Sequence, residues 1–544
     1  MGRLACAQTP FVVEAAKAPV RGLLHFGQAL AAHARLSPHK IGVSDLDRQM
    51  SFALWDQRAR RLANALIGLA LRKGDRVAVL AYNCVEWAEI YAATARAGLV
   101  AVPINFRLIA AEALYVIEDA ECAALIVQDE LACLIEEMGP ALAINQDRRI
   151  LFGKGRAPAG YRDYEAFLAS GADAPPAVAV DLADPWVLMY TSGTTGRPKG
   201  VIRTHRGGTM VGLVTETELK LDRDDSALLV MPMCHANSLY FFGAFAQMGA
   251  ATHIYSRKSF DPEHAIRALA DKGASFTSLV PTHYIMMLAL PEATRARLNL
   301  DGVEKLMISS APARPDTKGA VMDMFRKSGL YELYGSSEAG WVTMLHPDEQ
   351  FTHLGTVGRE CVGSAPIRFL DAAGNEVPDG APGELYSCNA YTFEGYWKQP
   401  DKTAEAFRGE YCTVGDMGLR DGDGFIRLID RKKNLIISGG ENIYPSEVEN
   451  VVGAHPKVRD VAVVGLADAK WGERVHAVVV LREGEQATQA ELIDWTREKL
   501  AGFKRPRSVS FFAEADMPRT ATGKIQHREL RARLNPAEPD KRTP

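Results

Sequence analysis

Tyr190-Thr191-Ser192-Gly193-Thr194-Thr195-Gly196-Arg197-Pro198-Lys199-Gly200 directly follows the apolar run Trp186-Val187-Leu188-Met189. Every residue from Thr191 to Gly196 carries a hydroxyl or is glycine, and the run leads into Gly-Arg-Pro-Lys-Gly. Such a segment offers backbone N–H groups at close range, hydroxyl donors and one ammonium, the donor set that a polyphosphate requires. It is not a P-loop, because no Gly-Lys-Ser/Thr closes it at the right spacing and no helix signal opens behind it. A strand feeding a phosphate loop points to an α/β protein.

The flanking sequence agrees. Upstream, Trp55, Ala59, Leu62, Leu66 and Leu69 recur at steps of four and three, which predicts an amphipathic helix within 51–72. Arg76 to Ala81 predicts a short buried strand, Trp87 to Gly98 a helix, and 100–102 and 123–127 two more strands. A second block from Trp186 to about Arg359 repeats the rhythm in WVLMYT, SALLVM, ATHIYS, SFTSLV and KLMIS. Strands alternating with helices imply mostly parallel sheets with crossovers. From about Cys361 to Asp430 short strands and turns predict a small β-rich subdomain. Past Lys433 comes a compact α/β module: a helix from Pro445 to Val452, strands VRDVAVVGL and VHAVVVL, a second helix ending near Leu500, and a strand SVSFF. Thr488 and Glu491 have capping-box spacing at the start of that second helix. The tail beyond about Leu534, Pro-rich and charged, is expected to be disordered.

The 544 residues exceed what one core serves comfortably, so two or more domains are expected. A net charge of −4 and a pI near 6.4 provide no global basic field for nucleic acid or anionic membrane. The eight cysteines are scattered without a C-x-x-C pair, which argues against a zinc site, a redox motif or a disulfide framework. No signal peptide is read at the N-terminus, and the most apolar stretch, Leu239 to Ala251, is too short to span a membrane. A cytoplasmic protein follows. A homodimer is allowed, with no feature that specifies it.

Further motifs stand in order along the chain. Ser309-Ser310-Ala311-Pro312 and Tyr331-Glu332-Leu333-Tyr334-Gly335-Ser336-Ser337-Glu338 precede Val414-Gly415-Asp416 and Asp430-Arg431-Lys432-Lys433. Ile437-Ser438-Gly439-Gly440-Glu441-Asn442-Ile443-Tyr444-Pro445 and Pro518-Arg519-Thr520-Ala521-Thr522-Gly523-Lys524-Ile525 follow. Together with the 190–200 loop, this series resembles the adenylate-forming (ANL) superfamily of acyl-CoA synthetases, peptide-synthetase adenylation domains and beetle luciferases. The resemblance covers nearly the whole chain.

It implies a fold with two parallel-sheet α/β subdomains and a β-barrel-like subdomain in a large domain, 1–430. A small mobile α/β domain, 434–544, follows a hinge at about 431–433. It also implies ATP, magnesium and coenzyme A as cofactors and a small-molecule carboxylic acid as substrate. Thr191, Ser192, Gly193, Thr194, Thr195, Gly196 and Lys199 would hold the phosphates. Ser310, Ala311 and Pro312 would flank adenine, with Glu332, Tyr334, Gly335 and Ser337 beside the base and α-phosphate. Glu338 and Thr191 would bind magnesium. Asp416 and Arg431 would meet the ribose, Lys433 would mark the hinge, and Gly439 and Gly440 would line the pantetheine tunnel. Lys524 would neutralise charge as pyrophosphate leaves.

Two family positions depart here: Ser337 for the usual Thr and Val414 for the Thr of T-G-D. Both spare the functional group that matters. Pro232-Met233-Cys234-His235-Ala236-Asn237-Ser238 stands where the family gates the acid, which makes His235 the candidate beside the carboxylate. The segment has no Asp for a substrate ammonium and no Arg for a second carboxylate. Its neighbours Leu239, Tyr240, Phe241, Phe242, Tyr284, Met286, Met287 and Trp341 would suit an uncharged aliphatic or aryl acyl group. The expected function is AMP-forming acyl-CoA synthesis, with Lys524, Lys199, His235 and Glu338 at the chemistry. A ligase loading a separate acyl-carrier protein, a luciferase-like oxygenase and a non-catalytic nucleotide sensor are the rivals.

Overall fold

The structure is a computed structural model that describes residues 24–155, 157–191, 197–311, 313–438, 441–519 and 524–535. The first expected helix forms at Phe52–Gly68, where the Ser51 hydroxyl accepts from the Leu54 N–H at 3.3 Å and caps the first turn. Its apolar stripe of Trp55, Ala59, Leu62 and Leu66 is fully buried.

Arg76–Leu80 pairs in parallel with Val100–Ile104 and Cys122–Gln128 at the centre of a seven-stranded sheet. One edge of that sheet is a hairpin, Pro185–Thr191 antiparallel to Lys199–Thr204. Its connection is the Ser/Thr/Gly loop, so a strand, not a helix, follows it. A second sheet has nine strands and a parallel centre that includes Ser226–Leu229, Ala251–Ile254, Phe276–Leu279 and Lys305–Ser309.

The block boundary read from the sequence needs correction. WVLMYT closes the first sheet rather than opening the second. Ile41–Ser44, unrecognised in sequence, pairs in parallel with Ala251–Ile254 in the second. Strands buried on both faces read alike, and periodicity does not say which sheet receives them.

The stretch from Leu239 is a buried helix, Ala236–Met248, apolar on all sides. Phe242 lies 5.6 Å from Trp55 and 6.3 Å from Tyr91, against the helices of the first sheet. Phe241 lies 4.8 Å from Phe276 and 5.2 Å from Trp341, both on strands of the second. This helix is the wedge that joins the two sheets, each buried ring contributing about 1.5–3 kcal/mol.

The β-rich subdomain is a four-stranded antiparallel sheet, Arg368–Leu370, Gly383–Tyr386, Asp416–Arg420 and Ile426–Arg431. In the C-terminal module Val458–Asp468 and Gly472–Leu481 form a long hairpin extended by Ser508–Phe511 and Ile436–Ser438. Thr488 and Glu491 make the reciprocal capping-box bonds. The helix they start ends at Trp495 rather than near Leu500, where the Thr496 hydroxyl donates to the Ile493 carbonyl and competes with the helical ladder. Among the described residues no helix is long and apolar enough to cross a membrane, and the seven described cysteines are unpaired.

Candidate active site

The hairpin register sets Thr191 opposite Lys199 across the mouth of the loop. Ser192, Gly193, Thr194, Thr195 and Gly196 lie outside the described residues, as do Pro312, Gly439, Gly440 and 520–523. The Lys199 ammonium stands 4.5 Å from the centre of the Tyr396 ring, and the Tyr396 hydroxyl donates to Glu338 Oε1 at 3.0 Å. One tyrosine thus bridges the loop lysine and the candidate metal ligand. Burial, and then Lys402, hold the Lys199 ammonium below its ordinary range, while Glu338 and Glu405 oppose them. Lys433 belongs to the same cationic cluster; burial, Lys199, Arg431 and Lys402 pull it to about 8. No local signal marks Tyr396 or Lys402, whose place depends on the fold of the 390–406 stretch.

A second corner forms where Asp416–Arg420 pairs with Ile426–Arg431. The register sets Asp416 opposite Arg431, and Asp416 Oδ1 accepts from Arg431 Nε at 3.0 Å. Asp416 Oδ2 accepts from the Tyr334 hydroxyl at 2.6 Å, so the ribose and adenine candidates meet through one buried carboxylate. Burial of the Tyr334 phenol, and then the Asp416 carboxylate beside it, push its pKa well up. Gly335 is fixed by space: a Cβ there would lie 2.3 Å from the Gly340 carbonyl oxygen. Ser310 has φ +71°, a left-handed backbone that only an ordered surrounding maintains at a serine. Glu332 turns elsewhere. Its carboxylate is committed to an ion pair with Lys318, both side chains buried.

The acid-side segment is anchored from the first sheet. Asn83 receives the Met233 N–H at 2.8 Å and donates to the Met231 carbonyl at 3.1 Å, and the Tyr91 hydroxyl donates to the Met233 carbonyl at 2.8 Å. Asn237 then reaches Ser278 Oγ at 3.1 Å and Ser309 Oγ at 2.8 Å, tying this segment to the adenine side. Burial lowers His235 to about 4, and the charges of Arg107 and Lys524 push the same way, so its imidazole is neutral at neutral pH.

Lys524 stands next to Ile525, which bridges to Arg519, and the Gln526 N–H donates to the Pro518 carbonyl at 2.9 Å. Its side chain is exposed to solvent, but its ammonium is crowded by protein and repelled by Arg431. These effects pull it to about 8 against the attraction of Asp416. Lys524 of the C-terminal module thus feels the charges of the Asp416–Arg431 corner, and His235 feels that of Lys524.

Two readings of the acid pocket change. Leu239, Tyr240, Phe241, Phe242, Tyr284, Met287 and Trp341 are core side chains at or below 4% exposure, and Met286 is exposed. Helix 236–248 spends its rings on joining the sheets. A cavity of about 130 Å³ takes in Pro232 of this segment and is lined otherwise by residues that include Phe106, Arg107, Val230, Arg257 and His283. An arginine is also present after all, because Arg107 arrives from a loop of the first sheet that no reading of 232–238 could reveal. A larger depression of about 560 Å³ around Arg459 and Phe511 lies on the C-terminal module, away from all these groups.

The model of the AMP-binding enzyme family matches residues 30–397, and that of the AMP-binding enzyme C-terminal domain matches 447–524. The chain belongs to the AMP-binding enzyme family. With this family match and CoA ligases among its relatives of 30% identity or more, it is an acid–thiol ligase in class, dependent on ATP. A feruloyl-CoA synthase of an Amycolatopsis species is 36% identical over 504 residues, 92% of this chain and 97% of that protein. The fatty acid–[acyl-carrier-protein] ligase ScoC of Streptomyces coeruleorubidus is 31% identical over 518 residues, 93% of this chain and 96% of that protein. The AMP-binding fold is shared with the anthranilate CoA ligase AuaEII, solved in complex with anthranoyl-AMP, at TM-score 0.86 and 24% identity over 95% of this chain and 98% of that one.

Proposed function

We propose that this AMP-binding enzyme converts an uncharged aryl or aliphatic carboxylic acid, ATP and coenzyme A to acyl-CoA, AMP and pyrophosphate through an acyl-adenylate, in the cytoplasm. The observation that carries the reading is the hydrogen-bonded Arg431–Asp416–Tyr334 corner, whose charges, with His235, lie within electrostatic reach of Lys524. A carboxylate attacks an α-phosphate only when both anions are aligned and their repulsion is neutralised. Lys524 brings positive charge to the reacting pair. Asp416 offers the ribose an acceptor already oriented by Tyr334 and Arg431. Lys199 and Lys433 would face the departing phosphates, and neutral His235 would flank the acid without adding charge to it.

Magnesium fits the donor set. Among the described residues no cluster of three or more His, Cys, Asp or Glu could cage a metal, and Glu338 offers one buried, oriented carboxylate. That pattern suits an ion held by one or two protein oxygens and by phosphates. Glu338 and Thr191 would hold it, and it would supply charge neutralisation on the phosphates.

We assign residues 1–430 and 434–544 to two domains hinged at 431–433. Rotation there would withdraw Lys524 and present the 437–445 loop for the thiol step. The relative that is a feruloyl-CoA synthase supports an aryl acid and coenzyme A, and the carrier-protein ligase supports the second acceptor. Pyrophosphate release across a panel of aryl, aliphatic and dicarboxylic acids, with and without coenzyme A, tests both. Sustained acid-dependent turnover only with coenzyme A supports the proposal. A single turnover that coenzyme A does not extend transfers it to a carrier protein, and no acid-dependent release refutes it.

A further inference from the structure

Arg203 stands four residues beyond Lys199 on the same strand, yet it is 2% exposed and enters the core behind the site. Its Nη1 donates to the Glu338 carbonyl at 3.1 Å and to the Ser337 carbonyl at 3.3 Å. Its Nε and Nη2 have no hydrogen-bond partner among the described residues. The guanidinium also lies over the Tyr240 ring, 5.1 Å from its centre, and the Tyr240 hydroxyl reaches the Ser337 carbonyl at 3.4 Å. A buried cation answered only by carbonyls and a ring face is costly. A fold that needed only to fill this space would place an aliphatic side chain there.

What the charge accomplishes is local. Two successive carbonyls converge on one nitrogen, so the peptides on either side of Glu338 cannot rotate. The Phe393 N–H donates to the same Glu338 carbonyl at 2.8 Å, and the Ala339 N–H to Ser336 Oγ at 2.9 Å, which closes the turn. With the backbone locked from behind, the Cα–Cβ directions of Ser337 and Glu338 are fixed, and Tyr396 then orients the Glu338 carboxylate from the front.

We propose that Arg203 is a positioning residue for the magnesium–nucleotide site: a buried cation that holds the Ser337–Glu338 turn in register with the phosphate hairpin from which Arg203 itself comes. The inference rests on the reading of Glu338 as the magnesium ligand. Its test is equilibrium binding of ATP at a series of magnesium concentrations, with a thermal melt for each variant. Arg203→Met should raise the magnesium needed for half-maximal ATP binding about tenfold, the scale of losing charge-assisted bonds. Arg203→Lys, which keeps the charge and loses the planar fork, should recover part of the loss, and it carries the test alone if the methionine variant does not fold. The double variant Arg203→Met with Glu338→Gln should bind no worse than Glu338→Gln alone, because both act through one group. Penalties that simply add, or a magnesium dependence within twofold of wild type, would overturn the proposal. So would a Glu338→Gln variant with unchanged magnesium dependence. Wild-type protein that binds magnesium–ATP but releases no pyrophosphate with any acid would sink the proposed function and leave the Arg203 result standing.

Discussion

Tyr396→Phe deletes a single oxygen, the one that links Glu338 to the ring beneath Lys199. The change leaves the ring, and so the cation–π contact of about 0.5–1 kcal/mol, in place. The backbone is anchored independently, because the Tyr396 N–H donates to Thr403 Oγ1 at 2.9 Å. What is lost is one hydrogen bond to a carboxylate, worth about 1.5–3 kcal/mol when buried. Glu338 is 9% exposed, so water replaces the hydroxyl poorly, and we take about 1.5–2 kcal/mol, or roughly 10–30-fold. The loss should fall on kcat/KM for magnesium–ATP in pyrophosphate exchange. Transfer of the acyl group from isolated acyl-adenylate to coenzyme A should stay within about twofold of wild type. Tyr396→Ala, which also removes the ring, should lose about threefold more. Exchange unchanged in Tyr396→Phe, or equal damage to both half-reactions, would refute the bridge between loop and metal ligand.

Four further outcomes are expected. Lys524→Met should lower adenylation by about 100-fold or more, as loss of a preorganised transition-state donor does, and spare thioester formation from the adenylate. With Lys524 held near 8, its ammonium is charged below that pH, so adenylation should fall as pH rises through about 8. Lys524→Arg, charged throughout, should move that limb upward, and an unmoved limb would contradict the assignment. In Lys318→Met the Glu332 carboxylate stays buried without its partner, which should destabilise the fold by about 3–5 kcal/mol in chemical denaturation. Adding Glu332→Gln should restore much of that loss. Gly335→Ala should fail to reach native stability in a thermal melt, because its Cβ meets backbone that cannot retreat.

Much of this was legible in the residues. The helix at Phe52–Gly68, the strands at Arg76–Leu80 and Lys305–Ser309 and the capping box at Thr488 follow from local periodicity and turn chemistry, and they stand within a few residues of expectation. The 190–200 stretch stands out because its hydroxyl and glycine residues leave a compositional trace in one contiguous run. Asp416 and Arg431 were named separately, and the antiparallel register that makes them one corner emerged only from the fold.

Groups that act across elements left no trace. Tyr396, Arg203 and Arg107 sit in unremarkable local sequence and matter because of what packs opposite them. The aromatic run from Leu239 misled for a related reason. An apolar stretch beside a site reads equally as pocket lining or as core, and only the two sheets pressing on helix 236–248 decide for core. Glu332 was named from its motif, whereas a buried lysine on a neighbouring helix claims its carboxylate.

The central claim is that the acid's own carboxylate oxygen attacks the α-phosphate of ATP. The most direct measurement supplies an acid labelled with oxygen-18 in its carboxylate and determines the mass of the nucleotide released as acyl-CoA accumulates. The released AMP should carry one labelled oxygen, with the partner label retained in the thioester. Unlabelled AMP, or ADP with labelled phosphate, would contradict it.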